Sequence, residues 1–204
     1  MLQLNNGDGT FSEVGLMTGV AATDWSWAPL FADLDLDGYK DLFISNGIVK
    51  RPNDLDYIMF LSANDFKVGN DEISDSALIA QMPDGKVENG LVINKVGITF
   101  ENVSASWAKL EKTVSTSSVY ADLDNDGDLD LVVNNINDRA QILKNNQQGN
   151  NYLKVRLKGS SGNPNGVGTK VRLYAEGNLQ YQELFPDRGF QSSTTKELVF
   201  GVGK

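Results

Sequence analysis

Phe31-Ala32-Asp33-Leu34-Asp35-Leu36-Asp37-Gly38-Tyr39-Lys40-Asp41-Leu42 returns 89 residues later as Tyr120-Ala121-Asp122-Leu123-Asp124-Asn125-Asp126-Gly127-Asp128-Leu129-Asp130-Leu131. Counting from Asp33 or Asp122, aspartate fills positions 1, 3, 5 and 9, and glycine fills position 6. Alternate positions of a tight loop point inward together, so the side chains at 1, 3 and 5 converge on one point. Glycine allows the positive φ that folds the chain back, and position 7 can then offer its carbonyl. The expected ligands are Asp33, Asp35, Asp37, the Tyr39 carbonyl and Asp41 in the first loop. In the second they are Asp122, Asp124, Asp126, the Asp128 carbonyl and Asp130. Carboxylates this close repel one another without a cation, and an all-oxygen set of this kind points to Ca2+.

The same offset carries Thr10-Phe11-Ser12-Glu13-Val14 onto Thr99-Phe100-Glu101-Asn102-Val103, Leu2 onto Leu91, Leu4 onto Ile93 and Asn5 onto Asn94. Three separated segments with one spacing make a true internal repeat. A partial third copy, Ile142-Leu143-Lys144-Asn145-Asn146, follows Leu2-Gln3-Leu4-Asn5-Asn6 by 140 residues. The second repeat is therefore about 51 residues long, and the first carries an insertion at about 50–90.

Other readings of the aspartates fit less well. Asp and Asn also serve simply as turn residues, but a five-position pattern occurring twice in register needs more than that. An EF-hand requires Glu at position 12, where Ile44 and Val133 stand. A phosphatase nucleophile does not come as a duplicated acidic loop.

Composition narrows the chemistry further. The 204 residues are 40% hydrophobic and 22% charged, ordinary for a globular chain. Neither His nor Cys occurs, which removes the commonest general base, thiol nucleophiles, disulfides and zinc thiolate sites. A net charge of −9 excludes the basic footprint that nucleic-acid binding needs. Residues 1–149 carry a net −13 and residues 150–204 a net +4, which predicts a domain boundary near Gln147-Gln148-Gly149-Asn150. No apolar run approaches the roughly 20 residues of a membrane span. The first residues lack the basic start and apolar stretch of a signal peptide, and both ends read as cut.

Leu42-Phe43-Ile44 and Leu131-Val132-Val133 read as short buried strands closed by Ser45-Asn46-Gly47 and Asn134-Asn135. Leu153, Val155 and Leu157 alternate with Lys154, Arg156 and Lys158, the period of a half-buried strand. Val171, Leu173 and Ala175 repeat it, and Glu176-Gly177-Asn178 turns the chain into Leu179–Phe185. Two short helices are expected in the insertion. One starts at Asn53-Asp54 and runs through Leu55, Ile58, Met59 and Ser62. The other starts at Asn70-Asp71-Glu72, runs through Ile73, Ala77 and Leu78, and stops before Pro83.

The two loops and Asn5-Asn6-Gly7-Asp8-Gly9-Thr10-Phe11 resemble the FG-GAP and VCBS repeats of integrin-type β-propellers. Asp24-Trp25-Ser26-Trp27 and Ser45-Asn46-Gly47 are similar to the cartilage acidic protein family and its bacterial relatives. Asn151-Tyr152-Leu153, Asn165-Gly166-Val167-Gly168-Thr169-Lys170-Val171, Gly189-Phe190-Gln191-Ser192 and Phe200-Gly201-Val202-Gly203 resemble the ASPIC/UnbV domain. The Phe-Gly and Gly-Ala-Pro tags of FG-GAP repeats are absent, so integrin-like ligand binding is not carried over.

Together these readings give an all-β chain. Residues 1–148 form about two blades of a partial propeller with a short helical insertion, and 149–204 form part of a small β-domain. Two blades leave open edges, to be covered by a partner or by further propeller. Trp25, Trp27 and Trp107 are expected to pack between strands rather than stack on sugars, and Lys154, Arg156, Lys158 and Arg172 to form a solvated face. The expected role is non-enzymatic: a calcium-binding extracellular or cell-surface interaction module for glycan or protein. The alternative is the non-catalytic portion of a larger secreted enzyme.

Overall fold

The computed structural model describes residues 1–64, 75–107, 110–175 and 177–204. In chain order the first blade region contains β1 (Gln3–Asn5), β2 (Phe11–Glu13), α1 (Gly15–Thr18), β3 (Ser26–Ala32) and β4 (Asp41–Asn46). The insertion contributes β5 (Ile48–Lys50), α2 (Leu55–Asn64), α3 (Asp75–Gln81) and β6 (Asp84–Gly85). Then follow β7 (Gly90–Val96), β8 (Thr99–Asn102), α4 (Ser104–Trp107), β9 (Ser115–Ala121), β10 (Asp130–Asn135) and β11 (Gln141–Leu143). The last part holds β12 (Asn151–Arg156), β13 (Lys170–Ala175), β14 (Asn178–Glu183) and β15 (Glu197–Gly203).

The repeat survives in three dimensions. β9 begins and ends 89 residues after β3, and β10 does the same after β4. β3-β4-β7-β8 form a four-stranded antiparallel sheet, and β9-β10-β11 a three-stranded one. The β1–β2 hairpin is the counterpart of β7–β8. This is a partial β-propeller, with mostly strand and few helices. Each aspartate loop closes the hairpin between the first two strands of its blade, where Ala32 faces Asp41 and Ala121 faces Asp130.

Strand alternation distributes the core. β4 is buried along its whole length, as a central strand covered on both faces must be. Phe43 joins Leu30, Ile93, Leu131 and Val133 between the two blades, while Leu42 and Ile44 pack with Val20 and Val92 on the opposite face. Leu34 and Leu36 of the first loop and Leu129 of the second belong to the inter-blade core, so the loops hang from it rather than float in solvent.

In the insertion, Asp54 starts α2 as expected, its Oδ1 accepting the Tyr57 N–H at 3.1 Å. Tyr57 is buried, but Leu55, Ile58 and Met59 are exposed, as is Ile79 of α3. The apolar stripe read from helical spacing therefore faces outward. The expected second helix start at Asn70-Asp71-Glu72 with Ile73 lies outside the described residues, and α3 ends at Gln81, before Pro83.

After β11 the sheets are two-stranded, β12 with β15 and β13 with β14. Leu184, Leu198 and Phe200 form their small core, with Val155, Leu157, Val171 and Leu173 packed against it. The expected alternation holds for those four, whereas Leu153 is exposed. Of the expected turn, Glu176 lies outside the described residues and Gly177 adopts φ 81°. Trp27 packs against Phe190 with ring centroids 5.0 Å apart and donates its indole N–H to the Gly47 carbonyl at 2.7 Å. Trp25 and Trp107 are 43% and 45% exposed, more open than the strand-packing expectation.

Candidate metal centres

Both loops fold alike. Gly38 and Gly127 adopt φ 95° and 102°, the left-handed turn for which position 6 needs glycine. The residues at position 4, Leu36 and Asn125, are left-handed too, at φ 59° and 64°. A buried leucine in that region is strained backbone, and its place in the inter-blade core is what holds it there.

Asp33, Asp35 and Asp37 each offer a carboxylate oxygen lying within 4.8 Å of the others, and so do Asp122, Asp124 and Asp126. Calcium–oxygen distances of roughly 2.3–2.6 Å put two ligands of one ion at most about 5 Å apart, so both triads have the right span. At position 1 the two loops share the same within-loop contact. Oδ2 of Asp33 accepts the Gly38 N–H at 3.0 Å, and Oδ2 of Asp122 accepts the Gly127 N–H at 3.1 Å. Oδ1 of each is buried with no hydrogen-bond partner among the described residues. A buried, unpaired carboxylate oxygen is costly. Its recurrence at equivalent positions fits a cation held there.

Position 9 does a second job. Asp41 accepts the Leu34 N–H on one oxygen at 2.7 Å and the Asn94 N–H on the other at 2.9 Å. Asp130 accepts from Leu123 at 2.9 Å and from Asn145 at 2.8 Å. These carboxylates tie the loop's entry to β7 in the first case and to the segment just past β11 in the second, and neither is among the converging triads. Each oxygen keeps a second lone pair, so the ligand role expected for them stays open to both. At position 7, the Tyr39 N–H donates to Asp37 Oδ1 at 2.8 Å, and the Asp128 N–H to Asp126 Oδ1 at 3.2 Å. The Asp128 side chain, for which only the carbonyl carried an expectation, is buried, with Oδ2 accepting the Gln147 N–H at 2.9 Å and Oδ1 unpaired.

The electrostatics of the first loop are those of crowded, buried carboxylates. Burial pushes the Asp33 carboxyl up to about 6, with Asp37 and Asp35 adding to the shift and Lys40 opposing it. Asp41 is pushed up to about 7, burial outweighing its two amide hydrogen bonds. Asp35 is raised by burial and then by Asp37. In the second loop burial raises Asp128 to about 6, but Asp124 is lowered by its contact with Lys144, 2.5 Å away.

The segment after β11 reaches back to both loops. Asn145 Nδ2 donates to the Leu34 carbonyl at 2.7 Å, and the Gln147 and Asn150 side-chain amides both donate to the Asp35 carbonyl at 2.8 Å. The Gly201 N–H donates to Asp33 Oδ2 at 3.0 Å, and the Gly203 N–H to the Leu36 carbonyl at 3.1 Å. Lys154 Nζ bonds Asp122 Oδ2, which holds the ammonium above its usual pKa. Arg156 pairs with Glu197. The basic strip expected as a solvated face is thus engaged at two of its four members. Sequence reasoning missed Asn145, Gln147, Lys154 and Gly201. The charge of Lys154 was visible, but no local pattern reports a partner 32 residues away.

A family model described as FG-GAP-like repeat matches residues 1–44, which contain the first loop. A model described as ASPIC and UnbV matches residues 159–204. No curated protein matches the chain. The second loop stands on the internal repeat and on its geometry, and neither match narrows the chain to the cartilage acidic proteins. The chain carries an FG-GAP-like repeat within residues 1–44 and an ASPIC/UnbV domain within residues 159–204.

Proposed function

We propose that this chain is a non-catalytic, calcium-stapled interaction module of extracellular or cell-surface type, and that its two aspartate loops each hold one calcium ion. The observation that carries the metal reading is the paired, buried and unpartnered Oδ1 of Asp33 and Asp122, each beside two further carboxylates. In that role Asp33, Asp35, Asp37 and the Tyr39 carbonyl hold the first ion, with Asp41 closing the shell or bracing it. Asp122, Asp124, Asp126, the Asp128 carbonyl and Asp130 do the same for the second. The ion supplies charge neutralisation and rigidity to the blade hairpins, and the absence of His and Cys supports a role without catalysis. Among the described residues no helix is long and apolar enough to cross a membrane.

The partner surface is assigned to the insertion. Leu55, Ile58, Met59 and Ile79 project from α2 and α3, and exposed apolar groups of this kind suit a protein more than a glycan. The test is a binding screen in calcium and in EGTA against extracellular protein and glycan panels, comparing the intact chain with a variant lacking residues 54–82. Calcium-dependent capture of a protein, lost with the deletion, supports the reading. Binding unchanged by the deletion contradicts the assignment to the insertion, and turnover of any substrate contradicts the non-enzymatic role.

A further inference from the structure

At position 1 the two loops differ in one contact. In the first, Asp33 Oδ2 accepts the Gly38 N–H and a second, neutral N–H from Gly201. In the second, the equivalent Asp122 Oδ2 accepts the Gly127 N–H and the charged ammonium of Lys154. The exchange follows from the strand pairing. β12 and β15 form one antiparallel ribbon, with Tyr152 opposite Gly201 and Lys154 opposite Val199. That ribbon lies across both loops, β15 on the first and β12 on the second. A β-carbon on Gly201 would fall on Leu36 and Asp33, and one on Gly127 would fall in the Tyr152 ring.

From this asymmetry, and resting on the calcium reading above, we infer that Lys154 is a tethered competitor for the second metal site, making its affinity for calcium lower than that of the first. The ammonium is held in a half-buried setting, where its side chain is 23% exposed and that of Asp122 is 2% exposed. There a charge–charge contact is far less screened than on open surface. An ion held by Asp122 must share its carboxylate with Lys154 or displace it, and both cost affinity. A resting place for the displaced ammonium is built in, because Glu197 Oε2 lies 3.9 Å from Nζ. Lys144 also touches the second loop, at Asp124, but both side chains are well exposed and water screens that pair. The first loop has no Lys or Arg in salt-bridge contact with Asp33, Asp35 or Asp37 among the described residues. Filling the second loop therefore loosens the grip of the C-terminal ribbon at Asp122 while leaving the Gly201 contact at the first loop in place.

Calorimetric titration with calcium, on the full chain, separates these effects. Asp37→Ala isolates the second site and Asp126→Ala the first. Lys154→Met and Lys154→Gln are each combined with them, so that one poorly folding variant does not decide the matter. The expected result is a first site tighter than the second, and a second site tightened about tenfold or more by either Lys154 change, with the first site unmoved. Lys154→Arg, which keeps the charge, leaves the second site weak. A second-site affinity unchanged or reduced in both Lys154→Met and Lys154→Gln, with calcium still bound, overturns the competitor role alone. No calcium uptake by the unsubstituted chain overturns the calcium reading and this inference with it.

Discussion

The Gly201 N–H and the Asp33 carboxylate lie 3.0 Å apart across 168 residues of chain. Through that contact the last strand braces the first loop. The position-1 carboxylate is fixed on one side by its own loop's Gly38 and on the other by β15, and its remaining oxygen is buried without a hydrogen-bond partner among the described residues. Loop, blade and C-terminal ribbon are thus one mechanical unit around Asp33.

Calcium is expected to raise the melting temperature, and EGTA to lower it, because an ion that binds only the folded chain stabilises it by mass action. Asp37→Ala and Asp126→Ala should each remove part of the increment, and together most of it. Differential scanning calorimetry checks this, and superimposable curves in calcium and EGTA contradict it.

Without metal the pH dependence should run against the usual acid denaturation. Burial pushes the Asp33 and Asp41 carboxyls up to about 6 and about 7 in the folded chain, against 3.8 for the free group. Between those values the folded chain binds more protons than the unfolded chain, so stability falls as pH rises through the window. Calcium reverses the trend, since its ligands must be ionised. Urea midpoints in calcium-stripped buffer should be higher at about pH 4.5 than at about pH 7.5. A midpoint that climbs with pH under those conditions contradicts the shifts.

Gly201→Ala should destabilise the chain by about 1–3 kcal/mol, the usual cost of overpacking. The added carbon has only the Leu36 backbone and the Asp33 carboxylate to meet. Calcium affinity at the first loop should fall with it, and not at the second. An unchanged urea midpoint would show that β15 does not bear on the loop.

Much of this architecture was legible because it repeats. The 89-residue spacing carries strand boundaries as well as aspartates, since one hydrophobic alternation must serve two blades sharing one core. Position 6 was readable from glycine alone. The strain at Leu36 was not, because packing rather than residue type imposes it. The ribbon's hold on the loops was invisible for a related reason. Gly201 acts through a backbone amide that every sequence carries, and Lys154 occupies a strand position that alternation assigns to solvent. The outward face of α2 escaped notice because helical spacing tells which residues share a side, not what that side meets.

Counting bound ions decides whether Asp33 and Asp122 each anchor a calcium site. The chain is stripped of metal, dialysed to equilibrium against millimolar calcium, and assayed for bound metal by atomic emission. Two ions per chain are expected, one in Asp37→Ala, one in Asp126→Ala and none in the double variant. A folded chain that retains no calcium, or retains as much after both substitutions, contradicts that expectation.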